Sequence, residues 1–300
     1  MSKAIKTAFN IDKLKLCYRT TADIFDHLTK KYNLNTDDKS NINCLIDNGE
    51  YKLSLIDHSC NEIEVTAITI SVCVEDNTLH KLGVFDFKRD GRYCFFNFEN
   101  KALYTDFANS KNCLDLIKFI SKDIGLEYNN ITTLEIAKDS TRNYITAIQK
   151  LIRKYEDYEM FINGNLVKDE NRTIPHFKKM YNSSRKKMCR IPTLYFEQSD
   201  GPSLKVYDKH KEMLDEEKAK LEYLPQRLQF GKNSPIYRAE VRFKNRDIRE
   251  YMAKIGIIGE KTMDFLSHSE QLAQMWQYGA DRLIYFRDRA SGGVITMADI

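Results

Sequence analysis

The stretch TLYFEQSDGPSLKVYDKHKE, residues 193–212, decides how the second half of the chain is interpreted. Alternating apolar residues predict strands at Pro192 to Phe196 and at Ser203 to Tyr207. A highly charged helix is predicted from about His210 to Leu224, and another strand at Ile236 to Lys244. This alternation of short strands with a helix indicates an α+β fold.

Tyr207, at the end of the second of these strands, is the first candidate functional residue. It is one of 17 tyrosines, and its unperturbed pKa of about 10 means that a nucleophilic role needs a nearby cation or base. Lys205 and Lys209 lie two residues to either side and share its face for as long as the strand continues. His210 is a further helper candidate. Lysine and tyrosine also alternate on exposed strands, so simple packing is the alternative interpretation.

Two further strands carry carboxylates. LEIAKD, residues 134–139, places Glu135 and Asp139 on one face, and YRAEVRFK, residues 237–244, places Glu240 on a charged face. Three carboxylates from two strands suit Mg²⁺ or Mn²⁺, which take oxygen ligands. Such an ion would stabilise the charge that develops during phosphodiester cleavage. Alternatively, Glu240 pairs with its neighbouring arginines and the other two acids are surface charges.

Basic residues concentrate in the run at 178–190, where six of thirteen residues are Lys or Arg and no acid interrupts them. The net charge of +4 is only mildly basic, so this local run carries the argument for a polyanionic partner. A solvated loop is the alternative interpretation. The cations of this run are Lys178, Lys179, Arg185, Lys186, Lys187 and Arg190, and the strand at 237–244 adds Arg238 and Arg242.

The composition bounds the class of protein. A chain of 300 residues fits one large core or two modest ones, and 42% hydrophobic with 30% charged residues excludes a mostly disordered chain. The seven cysteines include no CxxC pair, which is typical of reduced thiols and not of a disulfide framework or a zinc site. No signal peptide or long apolar run is present, so a cytoplasmic location is predicted.

The short connections within the first hundred residues favour an antiparallel sheet. We predict an N-terminal αβ domain at 1–130, with a structural, DNA-binding or dimerisation role, a catalytic domain at 131–246, and a helical segment at 247–300. The remaining predicted strands are 51–57, 62–74, 81–88, 93–98 and 131–139, and the remaining helices are 22–32, 112–124 and 141–155, the last capped by Asp139 and Ser140.

The order of these segments resembles the Rep_trans class of replication initiators from rolling-circle plasmids. In that family an LDLAxD-like strand precedes a YFGxRxSDRxxRIYxKxxE-like segment and a WRxEIxLKR-like strand. The matching segments here are LEIAKD, TLYF…SD…LKVYDKHKE and YRAEVRFK, within residues 132–251. Glu197 stands where the family has glycine, and Glu135 where it has aspartate. The resemblance implies two αβ halves, of which the N-terminal one is a non-catalytic copy.

The resemblance also implies an activity, which is sequence-specific nicking and rejoining of one strand of origin DNA, single-stranded or in a supercoiled hairpin. The nucleophile would form a 5′-phosphotyrosine and leave a 3′-hydroxyl that primes synthesis. The implied site consists of Tyr207 with Lys205 and Lys209, and of Glu135, Asp139 and Glu240 as ligands for Mg²⁺ or Mn²⁺. The implied partners are origin DNA, a host helicase and DNA polymerase, and a second copy of the chain. The eight Lys and Arg residues named above would contact the DNA, and the segment beyond Asp247 would help to recognise the origin.

Two other functions fit parts of the same pattern. A non-catalytic origin-binding protein would use the basic residues while Tyr207 only packs. An integrase-like recombinase would also use a tyrosine, but that class relies on Arg and His activators without an essential metal.

Overall fold

The structure, a computed structural model, describes residues 5–21, 23–32, 42–46, 49–57, 65–73, 79–87, 91–104, 113–169, 180–181, 188–189, 193–231 and 234–300. The chain divides into two compact units. Unit 1 comprises Met1–Asp12, Glu135–Tyr251 and His268–Ile300, and unit 2 comprises Lys13–Leu134 and Met252–Ser267. Within the described residues, no helix is both long and apolar enough to cross a membrane.

The elements follow one another as strands with interspersed helices. The strands are β1 (Thr7–Arg19), β2 (Ile42–Ile46), β3 (Gly49–Asp57), β4 (Val65–Cys73), β5 (Leu79–Phe87), β6 (Tyr93–Phe98), β7 (Glu127–Ser140), β8 (Tyr158–Ile162), β9 (Asn165–Val167), β10 (Met180–Tyr181), β11 (Met188–Cys189), β12 (Thr193–Glu197), β13 (Ser203–Asp208), β14 (Tyr237–Lys244), β15 (Ile284–Asp288) and β16 (Val294–Ile295). The helices are α1 (Ile24–Tyr32), α2 (Asn100–Leu103), α3 (Cys113–Ile124), α4 (Tyr144–Arg153), α5 (Lys209–Asp215), α6 (Lys220–Arg227), α7 (Asn245–Lys254), α8 (Lys261–Leu266) and α9 (Ser269–Leu283).

Unit 1 is built on a sheet in the order β12, β13, β14, β7, β1. Its strands are antiparallel, with Tyr207 opposite Arg238 in the pairing of β13 with β14. Helices α4 and α9 pack on β13 and β14. Gly279 of α9 allows this close approach, because a Cβ there would lie 2.5 Å from the ring of Phe243. The indole of Trp276 donates to the carbonyl of Ala239 at 2.9 Å and fixes α9 on the sheet. A smaller sheet in the same unit has the order β16, β15, β8, β9.

Unit 2 is built on an antiparallel sheet that includes β1, β6, β5, β4, β3 and β2 in that order. Tyr18, Phe85 and Phe96 form an aromatic core, with ring centroids 5.7 Å apart for the first pair and 4.5 Å for the second. The apolar stripe of α3, which includes Ile117 and Ile120, is fully buried. The helical spacing of the stripe and the alternation of the strands thus produce a second hydrophobic core.

The two units repeat one topological pattern. In unit 1, β7 leads into α4, and the later strands β12, β13 and β14 form a meander whose last strand lies next to β7. In unit 2, β1 leads into α1, and β4, β5 and β6 form a meander whose last strand lies next to β1. The predicted α+β class, with antiparallel sheets flanked by helices, is confirmed.

Several predicted elements differ from the structure. The helix predicted at 210–224 is two helices, α5 and α6, because the chain turns after Asp215 and brings Glu212 and Glu217 to the same ammonium. The predicted caps of α4 are replaced by Asn143, whose side chain accepts from the amide of Thr146 at 3.0 Å.

The predicted division into regions also differs in detail. The unit boundary in β7 lies between Leu134 and Glu135, close to the predicted one at 130. The segment 247–300 is divided between the two units and contains strands β15 and β16 as well as helices. Strand β1 was not predicted; it contributes to both units, with its residues up to Asp12 in unit 1.

Candidate active site

Tyr207 lies on β13 with its hydroxyl directed at a carboxylate. The alternation of this strand buries Leu204 and Val206 in the core and places Tyr207 on the opposite face. Its hydroxyl donates to Oε2 of Glu240 at 3.2 Å. The side chain is only 6% exposed, and burial raises the pKa of Tyr207 well above its usual value. The Glu240 charge raises this pKa further, while Arg238 opposes the shift. In the described conformation the phenol is therefore a neutral donor.

Three carboxylates form an acidic cluster beside this tyrosine. Asp12 on β1, Glu135 on β7 and Glu240 on β14 each contribute an oxygen, and these oxygens all lie within 4.8 Å of one another. All three residues belong to unit 1. The sequence predicted that Glu135 and Glu240 form a site together, and the structure brings them together. It did not predict Asp12; the alternating residues IDKLKL, 11–16, were the signal that could have identified its strand.

Asp139, the third predicted ligand, has a different partner. Both of its oxygens accept from the guanidinium of Arg238, at 2.7 Å and 2.9 Å. Arg238 also binds Asp12 and is fully buried, with 0% exposure. Asp139 therefore lies outside the cluster of three, and Asp12 takes the position predicted for it. Arg238 was predicted to contact DNA, but a buried guanidinium held by two carboxylates has no surface to offer a phosphate.

The two predicted lysines have different environments. Lys205 lies 3.4 Å from Oε1 of Glu240. Burial lowers the pKa of Lys205, but the carboxylates of Glu240 and Glu135 outweigh it and hold that pKa above its usual value. Lys209 is almost fully buried, and its ammonium binds the carboxylate of Glu212 and, at 2.8 Å, that of Glu217.

These side chains surround a small cavity of about 170 Å³. Its lining residues are Asp12, Glu135, Thr193, Lys205, Tyr207, Lys209, Glu212, Glu216, Glu217, Lys220 and Glu240. The acids of the α5–α6 region were not predicted as part of the site, because the sequence presents them only as one charged helix. His210 is not among the described lining residues.

The cluster fits a hard divalent ion by its donor set. Three carboxylates from three strands supply oxygen ligands of the kind that Mg²⁺ and Mn²⁺ prefer. Two of them also face cations at longer range, Glu240 with Lys205 and Glu135 with Arg242, each at 3.4 Å. A bound ion would therefore compete with Lys205 and Arg242 for these two carboxylates.

The remaining predicted DNA contacts have different outcomes. Arg242 is about half exposed and lies next to Glu135, so it can reach a phosphate from the edge of the site. The other six residues lie outside the described residues: Lys178, Lys179, Arg185, Lys186, Lys187 and Arg190.

No protein-family model matches the chain, and no curated protein is similar to it.

Proposed function

We propose that the chain is a rolling-circle replication initiator that nicks and rejoins one strand of origin DNA in the cytoplasm. The observation that carries this proposal is the hydrogen bond from the Tyr207 hydroxyl to Glu240 within the acidic cluster. A tyrosine joined to a carboxylate that can also ligate a metal has the parts of a metal-dependent transesterification. Host helicase and polymerase would then use the nicked strand, and a second copy of the chain would complete termination.

The chemistry balances as a phosphoryl transfer. The Tyr207 oxygen attacks the scissile phosphorus, a new O–P bond forms, and the bond from phosphorus to the 3′ oxygen breaks. The phenolic proton passes towards Glu240, its hydrogen-bond acceptor, and the departing 3′ oxygen takes up a proton and becomes the primer hydroxyl. Religation is the reverse, and the phosphotyrosine conserves the bond energy. A divalent ion held by Asp12, Glu135 and Glu240 would neutralise charge on the phosphate oxygens.

Because Tyr207 is buried, DNA needs a path to its hydroxyl. Tyr207 lines a cavity that Lys209 and the acids of α5 and α6 also line, so a DNA strand would meet these side chains on its way to the phenol. The proposal therefore requires this helical region to move aside when DNA binds. The same burial favours the rival function, a non-catalytic origin-binding protein in which Tyr207 only packs.

A covalent-adduct assay separates these functions. The protein is incubated with Mn²⁺ and random-sequence single-stranded oligonucleotides, and adducts are resolved on denaturing gels. We expect an adduct with the wild type and a loss of more than about 10³-fold with Tyr207→Phe, since removing a nucleophile eliminates the covalent path. Tyr195→Phe, on the neighbouring strand and outside the described cavity lining, is the matched control.

Each other result of this assay has a definite meaning. No adduct with the wild type favours the non-catalytic origin-binding protein. An adduct that survives Tyr207→Phe assigns the nucleophile elsewhere and overturns the proposal. An adduct that forms equally well in the presence of a chelator favours the recombinase.

A further inference from the structure

One face of the unit 2 sheet combines aromatic rings with cations. Along β6, Cys94 and Phe96 are buried in the core. The alternate residues Tyr93, Phe95 and Asn97 therefore lie on the opposite face. Tyr93 is 38% exposed, and Phe95 is half-buried. Partly exposed aromatic side chains are the kind of platform on which unpaired bases stack.

Basic residues of β1 lie beside these rings. The antiparallel register places Arg19 opposite Tyr93 and Lys15 opposite Asn97. The ammonium of Lys15 lies over the Phe95 ring, 4.8 Å from its centroid. Together with the exposed Lys13, these residues form what we call the aromatic face: Lys13, Lys15, Arg19, Tyr93 and Phe95.

The charge of the aromatic face suits a polyanion. Arg19 pairs with Glu127 at 3.6 Å, but both side chains are largely exposed, so this pair is weak and exchanges readily for a phosphate. Asp86, opposite Phe95 in the neighbouring strand, accepts a hydrogen bond from the side chain of Asn97, which partly satisfies its charge. The three cations lie along β1, next to the strand that carries the two rings. Phosphates could therefore bind along β1 while bases stack on β6.

We propose that the aromatic face binds single-stranded DNA, with unpaired bases stacked on Tyr93 and Phe95 and phosphates held by Lys13, Lys15 and Arg19. Stacking on a ring requires an unstacked base, so duplex DNA cannot use this face in the same way. The choice of DNA over RNA rests on the proposed function, but the binding itself does not depend on nicking. The face lies in unit 2, whereas Tyr207 and the acidic cluster lie in unit 1.

The test measures binding without the nicking chemistry. The full chain, with EDTA present, is titrated against a fluorescein-labelled oligo(dT) and followed by fluorescence anisotropy. We expect Tyr93→Leu and Phe95→Leu each to weaken binding about tenfold, since each removes a stacking ring and keeps an apolar side chain. Tyr155→Leu is the matched control, because Tyr155 is an exposed tyrosine of unit 1.

A second pair of measurements guards against folding defects. Lys13→Gln, at an exposed position, should weaken binding and reduce its salt dependence. A bromodeoxyuridine oligonucleotide irradiated on the wild type should crosslink to the peptide that contains Tyr93 and Phe95. Unchanged affinity of folded Tyr93→Leu, crosslinks elsewhere, equal loss with Tyr155→Leu, or preference for duplex DNA or for RNA would each overturn the proposal. If the protein fails to nick DNA but the anisotropy and crosslinking results are as expected, the proposed binding site is still supported.

Discussion

The two units share one strand order but differ in the chemistry of the side chains that it carries. In unit 1, β13 and β14 carry a buried polar network in which Tyr207, Glu240 and Arg238 have hydrogen-bonding partners. In unit 2, the corresponding meander strands β5 and β6 carry aromatic residues, with Tyr93 and Phe95 open to solvent to different degrees. Within the described residues, the three-carboxylate cluster occurs in unit 1 alone.

The difference between the units shows that separate sets of residues determine the strand order and the chemistry of each unit. In both units the third strand of the meander lies next to the strand that leads into a helix, β7 in unit 1 and β1 in unit 2. This order depends on alternating apolar residues such as Phe96 and Val241, which are buried in the core. The chemistry depends on the residues that point away from that core, and these differ completely. A fold repeated in this way can therefore carry an acidic cluster in one unit and partly exposed aromatic side chains in the other.

The largest expected effect breaks the polar network of unit 1. Arg238→Ala leaves Asp139 buried without its counter-charge, so we expect the free energy of unfolding to fall by about 3–5 kcal/mol. Arg242→Ala, on the same strand but about half exposed, should cost less than about 1 kcal/mol. Urea denaturation followed by circular dichroism measures both. Equal losses for the two variants would contradict the assignment of Arg238 as a structural residue.

A second substitution tests whether the acidic cluster binds metal. Glu240→Gln keeps the shape of the side chain but removes a carboxylate ligand. Mn²⁺ affinity measured by calorimetry should therefore fall at least tenfold, because even mutating groups that only hydrogen-bond to metal ligands costs about this much. Asp86→Asn, an acid on the aromatic side of the unit 2 sheet, is the matched control and should leave Mn²⁺ affinity unchanged. If both variants bind Mn²⁺ as the wild type does, the cluster is only a network of ion pairs.

The strand faces that carry Glu135 and Glu240 could be predicted from sequence. The period of two along LEIAKD and YRAEVRFK predicted one face for Glu135 and a charged face for Glu240, and the two carboxylates do meet in the cluster. That period does not say which opposite strand a face will meet. Asp139 and Arg238 pair because β7 and β14 are neighbours in one particular register, and such long-range pairing is not encoded in either segment.

Two other features needed the tertiary structure. Asp12 joins the cluster from β1, at the start of the chain, although nothing near it in sequence relates it to residues 135 or 240. Acids of the α5–α6 region line the same cavity as Tyr207, although a single charged helix was predicted there. A helix-forming composition does not reveal a turn when the residues at the break are themselves charged and polar.

The smallest expected effect compares buried tyrosines of the two units. Burial raises the pKa of Tyr207, with a further contribution from Glu240, and burial also raises the pKa of Tyr18 in unit 2. Above about pH 10 the tyrosines of the unfolded chain lose their protons, whereas these two phenols stay protonated in the folded state. Their contribution to the free energy of unfolding is therefore complete below about pH 10 and is lost as the pH rises further. With a chelator present, the fall in unfolding free energy above pH 10 should become shallower by about 1.4 kcal/mol per pH unit in Tyr207→Phe, and by a similar amount in Tyr18→Phe. Tyr155→Phe, at a surface position, should leave the slope unchanged. An unchanged slope in Tyr207→Phe alone would mean that this phenol ionises freely in the folded protein, as an exposed nucleophile would.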